Sequence, residues 1–210
     1  MAKHKFGVRT LGVIASVGLL SRAPAAAEPF SPLPKLTLVW ADPNRLLRFG
    51  FDPMAQEVVE IFQDVGIEID WRKSVQGLDG ARSVLVIVHL TSSSSETWRL
   101  RHHTMGLMIP RSRPGLSRVI RVFFDEVLRT LDLEVDNSRM PRARETMLLA
   151  RALGRVVAHE VVHAVAPDAP HAATGLMQLQ LTRAHLDSPS LRLSTESANA
   201  LHAGLRRTEH

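Results

Sequence analysis

The sequence predicts an α+β fold in one domain: a mixed, twisted β-sheet with a connecting helix, a long helix over 141–165, and a small C-terminal subdomain. Three observations carry this expectation. Apolar runs of strand length recur at 36–40, 67–72, 83–90, 104–110 and 116–127. Helical periodicity separates the first two runs and returns, over a longer stretch, at Pro141. A proline-punctuated stretch then stops that long helix and leaves room for one more. With 210 residues, 45% of them hydrophobic and 22% charged, the chain has the composition of a globular protein and not of a disordered one.

The elements follow in order. Residues 1–27 read as a secretory signal: Lys3, Lys5 and Arg9 precede the short apolar run LGVIASVGLL, and APAAA supplies small residues before Glu28. That run is about half of the roughly 20 residues needed to span a bilayer, so the mature chain is expected to be secreted or periplasmic, without stable membrane insertion. Residues 28–210 then form the domain, with an upper part over 28–165 and a lower part over 166–210. An alternating strand is expected near Leu36–Trp40. A helix follows, opened by Asp52 or Pro53, with Met54, Val58, Ile61, Phe62 and Val65 on one face and Gly66 as its stop. IEIDWR reads as the next strand, so strand, helix and strand suggest a crossover joining a parallel pair.

SVLVIVHL, at 83–90, is continuously apolar and suits a strand buried on both faces. TMGLMIP and LSRVIRVFFDEV read as two further strands, and 131–140 as a loop. Pro141 suits a first helical position, while Pro167 and Pro170 forbid continuation far beyond Val165. The last helix is expected to start at Ser194 or Thr195.

Charge and cysteine content narrow the chemistry. Four of the net +5 charges, Lys3, Lys5, Arg9 and Arg22, lie in the first 27 residues with no acid to offset them, which leaves +1 for the rest. Bulk charge therefore gives no case for nucleic-acid binding. There are no cysteines, which excludes disulfides, thiol catalysis and cysteine metal sites. A metal here must take His, Asp or Glu.

The long helix carries HEVVH. His159 and His163 are four apart, so both rings project from one face a turn apart and can share a tetrahedral metal. Glu160 points elsewhere and can reach a metal-bound water without ligating. That is the HExxH arrangement of zinc hydrolases, with Zn2+ as cofactor and the glutamate as general base. A third protein ligand is needed. His171, eight residues past His163 and beyond two prolines, is preferred, with Asp168 and Glu196 as alternatives. His102 and His103 are adjacent on the chain and cannot easily serve one metal; His89, His185 and His202 are isolated and read as ordinary. Arg144, Arg151 and Arg155 read as the solvated face of the long helix.

HEVVHAVAPDAPH followed by TGLM resembles the zincin metallopeptidases, and within them the metzincin clan. There the usual pattern is HExxHxxGxxH followed by a turn bearing a methionine. The chain departs from it at Ala166, which stands in the place of the glycine, and in a third histidine two residues late. The spacing HExxH, seven residues, His, then GLM is also similar to a group of small bacterial secreted proteins with metallopeptidase-like cores. The resemblance implies a zincin-like fold, His159, His163 and His171 as metal ligands, Glu160 as the catalytic base, Met177 as the methionine of the turn, and a peptide or protein substrate. It also makes TMGLMIP a candidate edge strand for a substrate backbone. Two other functions fit the same residues: a secreted zinc-binding module without catalysis, whose site would be closed by a fourth protein ligand, and a zinc hydrolase acting on a non-peptide amide.

Overall fold

The computed structural model describes residues 33–47, 50–74, 84–91, 104–109, 118–133 and 142–208. The signal-like segment 1–27, the polar stretch containing His102 and His103, and Pro141 lie outside the described residues. The described elements are strand β1 (Lys35–Ala41), helix α1 (Phe51–Gln63), strands β2 (Glu68–Arg72), β3 (Val84–Thr91), β4 (Gly106–Ile109) and β5 (Arg118–Phe123), then helices α2 (Phe124–Thr130), α3 (Ala143–Val165), α4 (Arg183–Asp187) and α5 (Thr195–Thr208).

The five strands form one mixed sheet in the order β2-β1-β3-β5-β4. All neighbouring pairs are parallel except β4 with β5, which is antiparallel. β1, α1 and β2 make the parallel pair that their sequence order suggests. β1 does not alternate as expected: Leu36, Thr37, Leu38 and Val39 are all buried, because the strand lies between β2 and β3 inside the sheet. In β3, Val88 and Leu90 are fully buried and His89 is half-buried. β2 closes one edge with charge, since Lys35 pairs with Glu68 at 3.3 Å and Arg72 with Asp70 at 2.8 Å, which disfavours pairing with another chain.

The run LSRVIRVFFDEV is a strand only in its first half. After Phe123 the chain turns into α2, whose Phe124, Val127 and Leu128, with Leu131 just past it, are buried. Their spacing of three, four and seven residues is helical, so burial favours a helix over a longer strand. α3 begins at Ala143, where the Arg142 N–H donates to Glu145 Oε2 at 3.1 Å, and ends at Val165 as the prolines require. Fourteen of its residues are buried, so it runs through the core and contacts β3, β4 and β5 as well as α1. α5 is capped by Ser194, whose Oγ accepts the Ser197 N–H at 3.1 Å. Among the described residues no helix is long and apolar enough to cross a membrane.

The arginine stripe on α3 is solvated at Arg144 but not at Arg155. Arg155 is 1% exposed. Its Nε donates to Glu57 Oε1 at 2.8 Å, and its Nη1 donates to the carbonyls of His185 at 2.8 Å and Leu186 at 3.0 Å. The guanidinium fork fits a carboxylate on α1 and two carbonyls at the end of α4, so three elements are tied at one point. Arg151 stands 4.0 Å from the same Glu57 carboxylate and is only partly exposed, whereas Arg144 is exposed.

Candidate metal centre

α3 delivers His159 and His163 to one side of a cleft of about 890 Å³. β4 forms one wall of that cleft and the segment 178–183, which leads into α4, forms another. The return of His171 depends on the loop after α3. Ala166 ends the helix at φ −126° and ψ 74°, a negative φ open to any residue, so the longer loop does not need the usual glycine there. The Ala169 N–H then donates to the Ala166 carbonyl at 2.9 Å, and the Ala172 N–H to the Met177 carbonyl at 2.7 Å. Gly175 turns at φ 79°, and a Cβ on it would fall 2.8 Å from the Arg192 carbonyl oxygen, so the turn before Leu176 requires glycine.

This loop brings the three rings together. His163 Nε2 lies 3.1 Å from His159 Nε2 and 3.2 Å from His171 Nε2. All three offered nitrogens lie within 4.8 Å of one another. Tetrahedral ligands about 2.0–2.1 Å from a zinc ion stand about 3.3 Å apart, close to these separations. The protonation pattern agrees. His159 Nδ1 is 2.9 Å from the Leu176 carbonyl, which can only accept, so Nδ1 carries the proton and Nε2 presents its lone pair toward the other rings. At best one proton on His163 Nε2 serves two facing nitrogens; a cation satisfies all three. The GLM turn therefore serves the site through its backbone, with the Leu176 carbonyl orienting His159 and the Met177 carbonyl holding the residue next to His171. The Met177 side chain is buried in the core.

Asp168 and Glu196 do not join the cluster. The Asp168 side chain is 85% exposed and lies 3.8 Å from Arg207, and Glu196 is exposed on α5. Among the described residues no fourth His, Asp or Glu completes the group, and His171 is itself exposed, so one side of the trio is open to the cleft. A closed structural zinc site has four protein ligands; an open one has three.

Glu160 is buried, and its carboxyl group lies against β4 in the same cleft. Burial pushes it up to about 7, against an opposing backbone hydrogen bond from Met108. The rings move the other way: burial lowers His159, and burial with the facing rings of His159 and His171 pushes His163 down to about 4. Both facts set the pH response of the metal-free protein. His163 protonates more readily when unfolded, so its contribution to stability is present above about 6.5 and is lost as pH falls toward 4. Glu160 protonates more readily when folded, so its contribution is present below about 4.5 and is lost as pH rises through 7. The two oppose each other over nearly one window. Metal-free Glu160→Gln should therefore gain stability relative to wild type progressively from pH 4.5 to 7, read by denaturant titration at fixed pH values; a constant difference would contradict the assignment.

Gly106 was not singled out from sequence as part of the site, although a glycine inside a strand pattern is itself a signal of close backbone approach. It lies directly against Glu160. The cleft also takes in Arg129 at the end of α2 and Arg183 at the start of α4, neither of which carries a sequence signal.

No protein family model matches the chain, and no curated protein matches it. Among solved structures it is similar to the archaemetzincin of Methanopyrus kandleri, at 12% identity and a TM-score of 0.49, over 86% of this chain and 100% of that one. So distant a likeness says nothing of chemistry, and what the site can do follows from its own atoms.

Proposed function

We propose that the protein is an exported zinc-dependent metallopeptidase of zincin type. The signal is residues 1–27, and 28–210 form a single domain whose upper part (28–165) and lower part (166–210) flank the cleft. The observation that carries this reading is the convergence of three imidazole nitrogens at 3.1 and 3.2 Å, open on one side, with a buried carboxyl group in the same cleft. His159, His163 and His171 would hold the ion. Zinc bound there supplies a Lewis acid that brings the pKa of a water near neutrality and polarises a carbonyl.

The chain's own residues do the rest. Glu160, a buried carboxylate in the same cleft, takes the proton of the attacking water and returns it to the leaving amine. Among the described residues β4 is an edge strand, and a peptide can lie along the outward backbone groups that Glu160 does not take up, and so along the cleft. The other wall, 178–183, confines the substrate from the opposite side. The partner is a peptide or protein, and neither nucleic acid nor membrane insertion enters the reading.

The test uses the chelator-stripped chain, with and without one equivalent of zinc, incubated with a mixed peptide library and read by mass spectrometry. Cleavage at defined sites only after zinc is restored is the expected result. A zinc-loaded wild type that leaves every peptide intact would rule the proposal out.

A further inference from the structure

The Phe123 N–H donates to the Met105 carbonyl at 2.8 Å, just before Gly106 pairs with Val122. Backbone groups of successive strand residues alternate in direction, so those of Gly106 and Met108 turn away from β5, toward the free edge. This is the stretch of backbone against which Glu160 lies. A Cβ built on Gly106 would stand 2.4 Å from Glu160 Cγ, 2.7 Å from its Oε1 and 2.8 Å from its Cδ. The three nearest obstacles thus belong to one side chain. Gly106 is not among the residues with positive φ, so its backbone conformation is not what asks for glycine. The space taken by Glu160 is.

We propose that Gly106 is a positioning residue: by lacking a side chain it leaves room on the free edge of β4 for the Glu160 carboxyl group, holding it in the cleft beside the three histidines. The catalytic consequence rests on the peptidase reading above; the contact does not. A methyl group at 106 has two outlets. Either the carboxyl group moves off its place or the edge strand lifts from α3. Glu160 is on the core helix and buried, so the movable part is the carboxyl end of its side chain.

The test is a double-mutant comparison on the zinc-loaded full chain. Gly106→Ala should lower Tm by about 4 °C or more, as overpacking does in a domain of this size. In a Glu160→Ala background, where Cγ and the carboxyl are gone, the same substitution should change Tm by less than about 1 °C. In the wild-type background kcat should fall about 100-fold with KM within about threefold and zinc content unchanged, the pattern of a misplaced group and not of lost binding. Equal Tm losses in the two backgrounds, or a wild-type kcat in Gly106→Ala, would overturn the proposal. If Gly106→Ala alone does not fold, recovery of folding in the double variant supports it and failure of both overturns it. A wild type that cuts no peptide would remove the peptidase reading while the Tm comparison still decides the contact.

Discussion

Glu160→Gln should lower kcat about 10²–10⁴-fold on any cleaved peptide while leaving the fold and zinc content of the protein unchanged. The substitution is nearly isosteric, so the close fit of the side chain beneath Gly106 is retained. Its amide oxygen can still accept the Met108 backbone hydrogen bond. What is lost is a base. A carboxylate can take a proton and give it back, which a proton relay requires; a neutral amide can do neither. Activity of Glu160→Gln within about tenfold of wild type would mean that the carboxyl is a packed core group and no more.

Arg155→Ala should cost about 3–5 kcal/mol of unfolding free energy, read from denaturant midpoints. The Arg155 side chain is 1% exposed and that of Glu57 is 12% exposed, so truncation leaves a carboxylate in a largely dry place with only Arg151, at 4.0 Å, left to pair with it among the described residues. It also removes a hydrogen bond from each of two carbonyls at the end of α4. Breaking such a pair is costlier than replacing it: Glu57→Leu with Arg155→Met should lose less than Arg155→Ala alone. Because α4 follows directly on the cleft wall at 178–183, folded Arg155→Ala should also show a raised KM. A loss under about 1 kcal/mol would return Arg155 to the exposed stripe that its sequence position suggests.

Much of the fold was legible because burial and local periodicity agree. α1 and α3 have apolar faces at helical spacing with stop signals after them, and α5 has Ser194 in place as its cap. The motif pair His159 and His163 follows from helix geometry alone. Elsewhere local patterns had competing readings. In 118–131 the strand alternation of Val119, Arg121 and Phe123 runs without a break into the helical spacing of Phe124, Val127, Leu128 and Leu131; no Gly, Pro or capping residue marks the switch. α4, at five residues, is too short to show periodicity. Arg155 looked solvated because its partner Glu57 is 98 positions away in the chain, and Gly106 meets Glu160 only through tertiary packing. His171 could be suggested by spacing, but its return rests on backbone hydrogen bonds of Ala169 and Ala172 that no side chain announces.

On the proposed function, His159, His163 and His171 together hold one zinc ion. The most direct test is a zinc titration of the metal-free wild type and of His171→Ala, in competition with a chromophoric chelator at pH 7.5, with Asp168→Ala and Glu196→Ala as controls. The expected result is one zinc per wild-type chain, an affinity at least about 100-fold weaker in His171→Ala, and wild-type affinity in both controls. Zinc held by His171→Ala as tightly as by wild type would contradict it.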